Sequence, residues 1–522
     1  MGKAGYSAEE ILEKVPLLRK TLTPTWPQHL AGISAGLMTM SMGFVAGWSA
    51  FATPYLRGKV AQLPFAPVDT AQVSWIASIV TLGALLGCLP SGYVAGRLGR
   101  KVYLLSLTVP LVAGWMLIML SEGRVSWIYL GRFMCGLAFG GVTVTVPLYN
   151  NEIVEDRLRG KIGSYFDLML SLGLFLVYVI GANTSYYLFS VICCTFPLAF
   201  VCLFVWMPES PYFLISKGRI DEAKEAIRWL RRGITEEALE VEINLINCIL
   251  QQSSSSHTNS VKSLDYAKQS LNKLKNWNIT SKAIVMAIGM MTFQRMSGVS
   301  AIMYYTVDIF HDANTSISPE NATILVGLLG VIGCLISALL VDRIGRRVLL
   351  IYSGFIMALG YTFMAAYFMA VHYGYQMDYQ MRCIPLLAVC LVVLFFTIGL
   401  GPVPWFMIPE LLPEDVKGMA LSATVAYKWV ITFLVIKMFP VMVVEVGYAI
   451  TYALMAAVCA SGLLFFEHCI PETKNMSPFE IHDEIAYYLN FGRHNVRSKY
   501  TEILNSPESE AKYTRNVTTV YG

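Results

Sequence analysis

Long apolar runs alternate with short polar ones along most of the chain. Stretches of about 20 apolar residues, the length a helix needs to cross a hydrocarbon core, occur at roughly 28–50, 71–93, 102–120, 126–148, 161–181, 187–207, 282–308, 322–342, 347–370, 384–410, 418–440 and 446–468. Barrel strands would be half as long and alternate in polarity, so these runs predict helices. The pattern predicts an all-α membrane protein of twelve transmembrane helices in two six-helix bundles, with a charged helical loop between them. The expected divisions are a tail at 1–27, bundles at 28–208 and 282–470, a linker at 209–281 and a second tail at 471–522. In the linker, Ile220, Ala223, Ile227 and Leu230 recur at helical spacing and predict an apolar face that docks on the membrane part. Ser253 to Ser260 predict a flexible link.

Composition agrees with the pattern. Only 14% of the 522 residues are charged, against about a quarter in soluble proteins. The net charge of +4 is small and argues against a nucleic-acid partner; the lipid bilayer is the expected surrounding. Placement matters more than total. Lys14, Arg19, Lys20, Arg97, Arg100, Lys101, Arg157, Arg159, Lys161, Arg343, Arg346, Arg347 and Lys417 fall at one set of helix ends, whereas the other set holds Arg57, Lys59, Arg124 and Arg382. The positive-inside rule then puts both termini and the middle loop in the cytoplasm. The 11 cysteines have no framework spacing and read as small buried apolar residues. No metal-ligand cluster or cofactor motif appears, so neither a metal nor a cofactor is expected, and the absence of HExxH, P-loop or nucleophile-elbow patterns argues against an enzyme. Asn183, Asn314 and Asn321 begin N-x-S/T sequons in predicted outside loops, compatible with glycosylation.

The chain also repeats itself. GRLGRKV at 96–102 matches DRIGRRV at 342–348; Glu152 with Arg159 matches Glu410 with Lys417; Pro208-Glu209-Ser210 matches Pro471-Glu472-Thr473. Three collinear matches at the same helix ends mean two similar halves, the plan of an alternating-access transporter with substrate between them. The repeated charges, Arg97, Arg100, Glu152, Arg159, Glu209, Asp342, Arg346, Glu410, Lys417 and Glu472, are read as a cytoplasmic gate whose ion pairs clamp the halves together. Acidic residues contribute little to topology, so their repetition favours a gate over topology signals alone.

These loops, with GRFMCGLAFGG and PLYNNE at 131–152, PESP at 208–211, Gln294 with SGVSAIMYY at 297–305, GPVPWF at 401–406 and PETK at 471–474, resemble the sugar porters of the major facilitator superfamily. Within that family the chain is most similar to the insect facilitated trehalose and hexose transporters. Independently of the resemblance, Gly83 with Gly87 and Gly136 with Gly140 stand one turn apart and read as close helix packing. Gly399, Gly401, Pro402, Pro404 and Pro409 interrupt the tenth span and suit a gating helix. Trp405 and Trp429 offer flat faces to a sugar ring.

The resemblance implies a sugar pocket of amides plus a tenth-span tryptophan, and here the chain departs from the family. Gln294 and Trp405 are retained, but Asp167, Arg295, Ser300, Gly330 and Lys428 stand where amides are usual. Charges within spans are costly and face cavities or partners. Asp167, Arg295 and Lys428 therefore read as a recogniser of an anionic substrate, as a central gate, or as mutually neutralising structural ions, and a neutral sugar also remains compatible. The resemblance further implies that proton-linked porters carry an aspartate where Val45 stands, which favours facilitative uniport. The substrate site is thus expected at Asp167, Gln294, Arg295, Ser300, Trp405, Lys428 and Trp429, the partner is a small-molecule solute such as a sugar, and a monomer should suffice. A non-transporting sugar sensor is the alternative. The plasma membrane is the expected location, with endosomal cycling through the acidic dileucine-like Glu13, Leu17 and Leu18.

Overall fold

The computed structural model describes residues 24–58, 67–121, 124–258, 279–413 and 417–474, with 476, 480–481 and 484–485. Glu13, Leu17 and Leu18 lie outside these residues. Among the described residues every regular element is a helix. Each of the twelve apolar stretches has a helical counterpart. The first six are Trp26–Leu56, Thr70–Leu98, Arg100–Met119, Val125–Ile153, Arg159–Asn183 and Tyr186–Phe204. The seventh is split at Gly298, whose φ of 80° turns Ile279–Met296 into Val299–Asp312. Pro319–Ile344, Arg346–His372 and Met381–Leu411 follow. The eleventh and twelfth form one continuous element, Lys417–Cys469, broken only at Gly447 with φ of 83°.

Packing follows small residues, as the sequence anticipates. A Cβ on Gly83 would stand 2.4 Å from the Phe133 carbonyl oxygen, one on Gly136 2.2 Å from that of Val80, and one on Gly140 2.1 Å from that of Ala84. Spans 2 and 4 thus touch backbone to backbone, and spans 1 and 5 do the same through Gly43 and Gly173. Large apolar side chains such as Leu89 and Leu339 stay exposed on the outside, where lipid replaces water as their solvent. The halves meet along a seam where spans 1, 2 and 5 face spans 7, 8 and 11.

The linker differs from expectation in two ways. Ala223 and Ile227 are buried, but against Phe213, Leu214, Leu239 and Ile243 in a small core of the linker's own; only Leu230 joins the main core. Within the serine stretch, residues 253–258 continue the helix Glu236–Thr258, because a helix already started needs only propagation through residues of modest propensity, and residues 259–260 lie outside the described residues. Of the three sequon asparagines, Asn183 closes span 5 and donates to the Val179 carbonyl at 2.8 Å, while Asn321 lies in the first turn of span 8. Asn314 stands in a loop, at a left-handed φ of 49°.

Candidate functional site

The repeated motifs build the same joint twice. Between spans 2 and 3 the chain turns at Gly99 (φ 103°, ψ 155°), and between spans 8 and 9 at Gly345 (φ 110°, ψ 151°). Glu209 accepts from the Arg100 amide at 3.0 Å and the Lys101 amide at 3.1 Å. Glu472 accepts from the Arg346 amide at 3.0 Å and the Arg347 amide at 3.1 Å. Each carboxylate sits on the first amides of a helix, where the orphan N–H groups and the dipole favour negative charge. The guanidinium of Arg100 then reaches Glu152 at 2.8 Å, and that of Arg346 reaches Glu410. Ser210 and Thr473 complete the correspondence, donating to Glu152 and accepting from Arg346.

These two pairs lie within the halves, not between them. Arg100 with Glu152 stays inside the first half and Arg346 with Glu410 inside the second, so they fasten loops within each half. Each arginine leaves the same glycine joint whose amides its neighbouring carboxylate caps, which directs its side chain along its own bundle. Arg97 leaves the cluster and lies 4.5 Å from the Tyr93 ring centroid. Arg159 and Lys417 start spans 5 and 11. The side chain of Asp342 is outside the described residues.

The broken tenth span explains Gln294. Residues Phe396–Leu400 form a π-turn, with the Gly401 amide on the Phe396 carbonyl at 2.7 Å. Pro404 has no N–H for the Leu400 carbonyl, and the Trp405 amide turns to Pro402 at 3.1 Å. The carbonyls of Leu400 and Gly401 instead accept from Gln294 Nε2 at 3.0 and 2.6 Å. Gln294 therefore splices span 7 to span 10, and its Oε1 is buried with no hydrogen-bond partner.

Around this splice lie the ions. Lys428 is buried, its ammonium 4.4 Å from the Trp405 ring centroid and 4.3 Å from that of Trp429. Trp429 crosses the seam to stack edge-on with Phe139 at 5.3 Å. Arg295 donates a long 3.4 Å hydrogen bond to Ser300, and its Nε is buried without a partner. Asp167, half-buried on span 5, is within electrostatic range of both Lys428 and Arg295, but among the described residues no ion pair joins any two of the three. The Cys334 thiol of span 8 approaches the Asp167 carbonyl at 3.8 Å.

Three further polar contacts were not singled out from the sequence. Arg132 of span 4 is fully buried under the Trp48 ring, donating to the carbonyls of Val45 (2.6 Å) and Ile76 (3.2 Å) and to Ser49 Oγ (2.9 Å). It sits inside GRFMCG, a stretch whose glycines had drawn attention to packing. At the end remote from the basic loops, Arg57 meets Asp308 at 3.8 Å, and Lys437 donates to Ser74 at 2.8 Å while lying over Trp75. Both contacts join one half to the other.

Two like-built helical halves, meeting at a seam that carries Asp167, Arg295, Lys428 and two indoles, have the build of a membrane solute transporter of the alternating-access type. A family model described as "Sugar (and other) transporter" matches residues 27–485. The facilitated trehalose transporter Tret1 of Culex quinquefasciatus is 31% identical over 89% of this chain and 86% of its own length. That of Aedes aegypti is likewise 31% identical over 89% of this chain, which spans 56% of the Aedes protein. Among solved structures, the inward-open xylose transporter XylE from E. coli superposes with a TM-score of 0.69 at 20% identity, covering 87% of this chain and 98% of that one. The chain belongs to the sugar (and other) transporter family.

Proposed function

We propose that the chain is a facilitative uniporter of a small sugar or related polar solute, working as a monomer in the plasma membrane with both termini and the linker cytoplasmic. The observation that carries the reading is Lys428 with its ammonium over the rings of Trp405 and Trp429 on one half and Asp167 on the other, where the two halves meet. The Trp405 indole takes a sugar's C–H face, and Gln294 Oε1, Ser300, Arg295 and Asp167 serve its hydroxyls. Uniport is supported by Val45: at the position implied to carry a coupling aspartate, only a backbone carbonyl meets Arg132. The glycine joints and their glutamates make each half rigid at the cytoplasmic end, so that the halves rock as bodies while Arg57–Asp308 and Lys437–Ser74 make and break on the outside.

Uptake of labelled glucose and trehalose into proteoliposomes tests this. Equilibrating, gradient-independent uptake is expected, reduced by Trp405→Ala. Binding without uptake would make the protein a sensor. Uptake that follows an imposed pH gradient and loses that dependence in Asp167→Asn would make it a proton-coupled carrier.

A further inference from the structure

We infer that the preferred solute is a monoanion of hexose size, a sugar acid with a single carboxylate. This rests on the transport reading and names its substrate class. Arg295 and Lys428 bring two positive charges to the seam and Asp167 one negative, leaving one cation in excess. Held apart as they are, the three do not neutralise one another by direct pairing. Arg295 has only a long bond to Ser300 and a buried Nε without a partner. Lys428, 6% exposed, has its ammonium on two indole faces. A buried cation without an acceptor is expensive, so the occupant of such a site is expected to supply one.

A carboxylate meets that need better than a hydroxyl. It accepts from the guanidinium through two oxygens at once, and charge-assisted bonds of this kind are roughly twice as strong as neutral ones. The rest of a pyranose ring still finds the half-buried indole of Trp405. Asp167 limits the charge, because a dianion would leave a net negative seam with like charges facing each other.

The experiment is uptake of labelled D-glucuronate, D-glucose and trehalose into proteoliposomes whose membrane potential is set by a potassium gradient and valinomycin. Glucuronate is expected to enter and to outcompete the neutral sugars. A potential of about 100 mV, positive inside, should raise its equilibrium accumulation about 50-fold, the factor for one elementary charge. Lys428→Asn and Arg295→Gln should each raise the half-saturating glucuronate concentration at least about tenfold, with Lys428→Arg restoring it. Asp167→Asn should lower that concentration, an opposite sign that a shared structural role would not produce. Entry of glucose or trehalose with glucuronate neither entering nor competing would overturn the anion inference and leave the transport reading intact. Entry of none of the three would overturn both.

Discussion

Gly140→Ala tests the packing that makes the first half a rigid body. The added methyl would lie 2.1 Å from the Ala84 carbonyl oxygen and 2.7 Å from the Cys88 amide, both backbone atoms. Ordinary contact begins near 3.5 Å, so spans 2 and 4 must separate by roughly 1 Å or more. No side-chain rotation relieves this, which puts the cost in the upper part of the roughly 1–3 kcal/mol range for overpacking. For a bundle of this size each kcal/mol shifts the melting temperature by about 2–4 °C; a fall of about 4–10 °C is expected by thermal unfolding of the detergent-solubilised protein. Gly92 on span 2 has nothing within 4 Å of its would-be Cβ, and Gly92→Ala should be neutral or slightly stabilising through helix propensity. Gly83 and Gly136 face each other, the Cβ of either standing 3.0 Å from the other's Cα. Separating the helices for one methyl makes room for the second, so the double alanine variant should lose less than the sum of the singles. Equal falls for Gly92→Ala and Gly140→Ala, or full additivity of the pair, would refute the close-approach account.

Arg57→Ala and Lys437→Ala each remove a link between the halves at the end remote from the basic loops, and spin labels on spans 1 and 7 at that end should report longer distances in both variants. Glu152→Gln breaks a pair 15% and 12% exposed, whereas Glu410→Gln breaks one 20% and 34% exposed; the first should cost about 1–3 kcal/mol and the second less, read as melting temperatures. Gln294→Leu strands the carbonyls of Leu400 and Gly401 and should destabilise by about 2–5 kcal/mol, with uptake impaired even at saturating substrate. Normal maximal uptake in that variant would restrict Gln294 to substrate binding.

The twelve apolar stretches and the internal repeat were legible because both are one-dimensional signals: run length and recurrence. Partner choice was not. Glu209 and Glu472 looked like members of a clamp, yet they cap helix amides, a role set by the backbone turn at Gly99 and Gly345 that residue types alone do not disclose. Gln294 was read as a sugar ligand from resemblance; that its amide nitrogen serves span 10 follows from which carbonyls Pro404 leaves bare. Arg132 was visible as a charge within a span, but its glycine-rich surroundings drew the reading towards packing. The serine stretch read as flexible from composition, whereas the helix from Glu236 runs into it as far as Thr258.

Gly99 and Gly345 set a limit on tolerated variation. Both occupy a backbone region open essentially to glycine alone, and a Cβ at either would also strike the capping carboxylate, 2.4 Å from Glu209 Oε2 and 2.8 Å from Glu472 Oε2. A single missense change at either glycine therefore removes a turn and a cap together. Arg97, which lies over Tyr93 apart from the ion pairs, can be exchanged with modest loss, so substitutions that damage the basic loops should concentrate at the paired Arg100 and Arg346 and at these two uncharged positions.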